Sequence, residues 1–274
     1  MLLAFVDRPP IAQEVERIRL ILSTFQDGTG MLRGNGGSKT LPGWRDFERT
    51  TALALSGEAP ETKAVFDVLL TSRTNPGVRY RISCKMRGEL DRIDRDGRVT
   101  IEVSNSAQKF WECLSKKGFD QTNYKNHPRD VGIALIDLVE QWHQEVAATG
   151  SDIHKSFFLV LSWNRSGWYQ LHQFRLGLPD PELLDWQFPL EQRRGVQTQA
   201  RRLRGSDDAG VVFEWYGESG GQLKYYPPET GAVWKSARFQ LEPLRDDREY
   251  GILAKAAAYF PERWNWATKH PENP

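Results

Sequence analysis

The chain has little of what would give its function away cheaply. Two cysteines, Cys84 and Cys113, among 274 residues cannot build a disulfide framework, and no four-ligand zinc spacing is present. No run approaches the ~18 apolar residues of a membrane span. The apolar part of MLLAFVDRPP is too short for a signal peptide, so the expectation is a cytoplasmic protein with no membrane partner. Net charge is also missing: 37 basic and 36 acidic residues leave +1, so any cationic surface must come from local segregation. None of the five histidines stands at ligand or triad spacing.

What is present is a soluble composition, 39% hydrophobic and 27% charged, with ten tryptophans that fill cores or serve stacking. Periodicity predicts helices over 11–26, 44–57 (closed by Gly57), 107–118, 129–150 and near 250–260. The glycine-rich GTGMLRGNGGSKTLPG between the first two reads as a mobile loop. VRYRISCKM alternates as a strand, and ELDRIDRDGRVTIEVS reads as a hairpin turning at Asp96-Gly97. Beyond residue 150 the chain turns strand-rich, with KSFFLVLSWN and GWYQLHQFRL paired around Asn164–Gly167. The expected fold class is mixed α+β, a mostly antiparallel meander with flanking helices and a strand-rich C-terminal part.

Counting the hairpin places Asp91 opposite Glu102, with Cβ atoms about 4.5–5.5 Å apart. Facing carboxylates repel unless a cation sits between them, and Mg²⁺ prefers one or two carboxylates plus waters and phosphate oxygens. A five-residue loop at 73–77 puts Asp67 beside Ser83. Asp67, Ser83, Asp91 and Glu102 would then form one row, with Lys85 a step along. The blander alternatives are a surface strand whose acids pair with Arg92 or Arg98, and a helical 61–70 on which Asp67 is merely exposed.

Acids and a lysine on one face of a small meander beside a helix resemble the PD-(D/E)XK nuclease core, over residues 44–165 in the order helix, meander, helix, strand. FD at 66–67 followed by SCK at 83–85 is similar to a variant found in restriction enzymes that cut around a CCGG core. There serine replaces an acid and a later glutamate supplies the carboxylate. The resemblance implies catalytic Asp67 and Lys85, Glu102 as the displaced acid, Glu48 assisting from the preceding helix, and Mg²⁺ as cofactor. A competing register uses Asp91 and Glu102, with Lys85 or Lys109 as the lysine; Asp67, Asp91 and Glu102 are therefore all candidate metal ligands.

Residues 1–43 would be an N-terminal helix and loop, 44–165 the catalytic core and 166–274 the DNA-recognition part of the same domain. There Arg193, Arg194, Arg201, Arg202 and Arg204, interleaved with Gln199, suit phosphate contact and base reading, with Arg87 from the core. The plainer reading is a solvated loop pairing with Glu191, Asp207 and Asp208. The implied activity is Mg²⁺-dependent, site-specific hydrolysis of double-stranded DNA by a homodimer, because one centre cuts one strand. Alternatives are a structure-specific repair nuclease, a non-catalytic DNA- or protein-binding module and a carbohydrate-binding module.

Overall fold

The computed structural model describes residues 2–34, 40–60, 66–193, 196–218 and 220–268, and the side chains of all of these except 193, 196 and 266. Helix α1 (Ala12–Thr24) buries Ile18 and Leu22, one turn apart, and a short pair follows, β1 (Leu32–Arg33) with β2 (Thr40–Leu41). Residues 35–39 of the glycine-rich stretch lie outside the described residues. Helix α2 (Trp44–Leu55) is started by Asp46, whose buried carboxylate accepts the amides of Gly43 at 2.8 Å and Met31 at 2.9 Å. It ends at Ser56, in left-handed conformation, one residue before the glycine expected to cap it.

Strands β3 (Val68–Thr71) and β4 (Arg79–Arg87) pair antiparallel with Val68 on Ile82 and Leu70 on Tyr80. That is the register the five-residue loop predicts, and it carries Asp67 to Ser83. The hairpin expected at 89–104 does not form. Residues Leu90–Asp96 make a short helix, α3, because Leu90 and Ile93, three apart, are both buried on one side. Gly97, at φ 65°, ends it, and its amide donates to the Ile93 carbonyl at 2.8 Å. Strand β5 (Ile101–Ser104) therefore leaves the first sheet altogether.

After α4 (Ala107–Lys116) and α5 (Pro128–Ala147), strand β6 (Phe157–Trp163) pairs parallel to β4, and β7 (Trp168–Arg175) returns beside β6. The 165/166 division thus falls in the turn between two strands of one sheet. Next come β8 (Asp185–Gln187), β9 (Leu190–Arg193), β10 (Val196–Gln199), β11 (Leu203–Asp207), β12 (Gly210–Trp215) and β13 (Leu223–Tyr225). The two-residue strands β14 (Trp234–Lys235) and β15 (Phe239–Gln240) and the helices α6 (Gly251–Tyr259) and α7 (Pro261–Thr268) complete the chain.

The protein is mixed α+β. The larger sheet runs β14-β7-β6-β4-β3, with β15 also on β7; the second runs β5-β13-β12-β11-β8; β9 and β10 pair with each other. One face of the larger sheet packs Ile82, Leu159 and Leu171 against Ile18, Leu22 and Phe47 of α1 and α2. The other packs Phe158 and Val160 against Leu90, Ile93 and Ile101. A third cluster joins α4 and α5 to the second sheet around Phe110, Leu135 and Trp215. Among the described residues no helix is long and apolar enough to cross a membrane.

The contact between α5 and the second sheet depends on Gly132. A Cβ there would lie 2.2 Å from the Trp186 ring, which is itself pinned by its indole N–H on the Pro181 carbonyl at 2.8 Å. Gly132→Ala is expected to destabilise by about 1–3 kcal/mol, despite alanine's better helix propensity. A denaturant midpoint unchanged from wild type would contradict this packing.

Candidate active site

The β3–β4 ladder fixes Asp67 at the mouth of the larger sheet, its amide on the Ile82 carbonyl at 3.0 Å. Its carboxylate Oδ2 accepts the Cys84 amide at 2.7 Å, the Lys85 ammonium at 3.4 Å and the Ser83 hydroxyl at 3.5 Å. Ser83 is buried, whereas the side chains of Asp67 and Lys85 each keep 20% exposure, enough to meet a ligand. From α2, half-buried Glu48 reaches the same place. Its carboxyl is pushed up to about 7, chiefly by burial, then by the charge of Asp67 and a hydrogen bond with it, against the opposing pull of Lys85 and Arg45. Burial and the charge of Asp67 thus favour the protonated form of Glu48, close to the ammonium group that meets Asp67.

Glu102 adjoins this centre without joining it. From β5 it makes an ion pair with Arg87, two residues along β4 from Lys85 on the same face. Asp91 is elsewhere, and the row of four acids and serine is not assembled. Because 90–96 is helical, Asp91 projects from α3 and accepts the Asn164 amide at 2.7 Å, tying that helix to the β6–β7 turn. Among the described residues no group of three or more His, Cys, Asp or Glu could hold a metal ion, so Asp67, Asp91 and Glu102 do not form one ligand set. Lys109, the alternative lysine, lies over the Trp142 ring at 5.3 Å. Asp91→Asn is accordingly expected to leave any hydrolytic activity at the wild-type rate; a rate loss of tenfold or more would reinstate Asp91 as part of the centre.

The arginine-rich stretch is partly internal. Arg204 bonds the buried carboxylate of Glu214 at 2.9 Å and Arg202 approaches it at 3.3 Å, with Glu191 at 3.5 Å from Arg202. Burial raises the Glu214 pKa, but hydrogen bonds from Tyr216 and Arg204 outweigh it and hold the group below its ordinary range. Exposed Arg201 meets Glu218 at 3.5 Å, and Gln199 is exposed at the end of β10. Asp207, an expected partner of the run, bonds Arg98 instead. Arg194 and the Arg193 side chain lie outside the described residues.

The sheet register adds Glu214 and Lys224, which sequence reasoning passed over. Arg204, Glu214, Lys224 and Glu102 are successive cross-strand partners, and Arg87 continues the row: five side chains of alternating charge across two sheets. Lys224 and Arg202 also flank the Tyr216 ring, at 4.5 and 5.4 Å. The alternation within each strand was visible in the sequence, but the pairing of β5 with β13, more than a hundred residues away, was not. Compared with protein-family models, curated proteins and solved structures, the chain has no match.

Proposed function

We propose that the protein is a Mg²⁺-dependent endonuclease that hydrolyses phosphodiester bonds in double-stranded DNA at a specific sequence, in the manner of a restriction enzyme. The supporting observation is the meeting of Glu48, Asp67 and Lys85 at one half-open position. The donor set fits a hard divalent ion: two neighbouring carboxyls meet where a cation could sit, and Mg²⁺ commonly needs no more protein ligands than these when substrate phosphate and water complete the shell. When bound, such an ion supplies polarisation of the phosphate and a more acidic water.

The chain's own groups do the remaining work. Asp67 and Glu48 would hold the ion, and their carboxylates lie where Lys85 can orient a water and offset charge building on the phosphate. Ser83 and the Cys84 amide fix the Asp67 carboxylate so that it does not swing away. Arg87, displaced from Glu102 by a phosphate, would add a contact to the backbone of the nucleic acid. Exposed Gln199 and Arg201 on the β9–β10 side suit contact with a duplex. Cutting both strands with one centre per chain implies two copies acting together.

The experiment is incubation with a panel of duplex DNAs, with Mg²⁺ or with chelator, resolved by electrophoresis. Discrete fragments that need the metal are expected. Intact DNA from every substrate would remove the proposal.

A further inference from the structure

An arginine-bearing cavity of about 430 Å³ opens on the polar side of the second sheet, lined by Arg92, Asp96, Arg98, Arg204, Glu214 and Tyr226 among others. Its guanidinium groups come from three places: α3, the segment entering β5, and β11. Tyr226 organises two of them. Arg92 lies over its ring at 5.0 Å, and Arg98 donates to its carbonyl at 2.8 Å. Arg204 is held through Nε on Glu214 at 2.9 Å, which leaves its two Nη groups without a hydrogen bond among the described residues.

The acids nearby do not close the cavity to an anion. Glu214 already accepts from Arg202, Arg204, Tyr216 and Tyr226, so it is a fixed support for the arginines rather than a free acceptor. Arg92 meets Glu89 at 3.2 Å and Asp96 at 3.4 Å, and Arg98 meets Asp207 at 3.3 Å. These separations exceed the ~2.7–2.9 Å of tight charge-assisted bonds. Asp96 and Asp207 are also substantially exposed, at 39% and 46%. Such screened pairs contribute little and give way readily to a bidentate anion.

We propose that this cavity binds a phosphate group, separately from the Glu48–Asp67–Lys85 centre, and that the phosphate belongs to the nucleic acid being processed. Arg204 stands three strands from Glu102, about 14 Å at ordinary strand spacing, so one bound polymer can span both positions. The phosphate chemistry rests on the arginines alone; its polymeric source rests on the nuclease reading.

Wild type, Asp67→Asn, Arg92→Gln and Arg98→Gln would be compared by thermal unfolding with inorganic phosphate, and by equilibrium binding of a short duplex over a range of salt. The expected result is a phosphate-dependent rise in Tm for wild type and Asp67→Asn, lost in both arginine variants. The log–log salt slope for duplex binding should become shallower by about one in each arginine variant. Loss of the Tm response with an unchanged duplex slope would keep the phosphate site but make free phosphate or a mononucleotide its ligand. Identical behaviour of wild type and both arginine variants toward phosphate and duplex would overturn the proposal. A wild type that responds to phosphate but cuts no DNA would instead overturn the nuclease reading.

Discussion

Asp67→Asn is expected to abolish DNA cleavage, by about 10³-fold or more, in a protein that stays folded. The substitution keeps the shape, and the remaining carbonyl oxygen can still accept the Cys84 amide. What goes is the charge that draws the Lys85 ammonium to 3.4 Å and that would bind a cation with Glu48. Lys85→Ala should cost roughly 10²–10³-fold for the complementary reason, since the group that offsets phosphate charge disappears. Single-turnover cleavage beside a Tm measurement separates chemistry from folding. Should Asp67→Asn remain active while Asp91→Asn is dead, the assignment of the centre to β3 and β4 is wrong.

The second large effect is on pH. Glu48 must lose its proton to hold a cation, so cleavage at limiting Mg²⁺ should rise about tenfold per pH unit below 7 and flatten above it. Stability runs the opposite way. The folded carboxyl titrates at about 7 against 4.5 for an ordinary glutamate, so the native state binds the extra proton between those values. The resulting stabilisation is complete below 4.5 and is lost as pH climbs through 7. In chelator, Tm should therefore fall by roughly 2–6 °C from pH 5 to pH 8 through this group, allowing for its partial exposure to water. Saturating Mg²⁺ should cancel most of that fall, because the cation takes the proton's place, and Glu48→Gln should remove both dependences. A Tm in chelator that does not respond to pH in this window, or that rises, contradicts the raised titration of Glu48.

The Asp67–Ser83 register was readable because a short loop fixes the pairing of two adjacent strands by counting alone. The same count failed twenty residues later, because Asp96-Gly97 suits a hairpin turn and a helix end equally well: both need a residue comfortable at positive φ. The discriminating signal was Leu90 and Ile93, spaced for a helix and not for an alternating strand, and it was outweighed by the regular acids around them. Once that segment coils, Glu102 is carried into another sheet and Asp91 is turned to Asn164. Glu48 could be named from its helix. Its proximity to Asp67 could not be counted, since counting fixes the register between paired strands and gives none between a helix and a strand. The arginine stretch was correctly seen as dense in charge, but Glu214, which engages Arg202 and Arg204, lies on the next strand and becomes their partner only through cross-strand pairing.

Strand β4 changes partners along its length: Arg79–Ile82 pair with β3, and Ile82–Arg87 pair with β6. Lys85 and Arg87 therefore ride on a stretch held along one edge by β6, with the Asp67 carboxylate on the Cys84 amide at the other. A grip that tightens around a substrate would draw on parts outside that ladder, namely α2 with Glu48, or the β9–β10 ribbon, whose strands pair with each other.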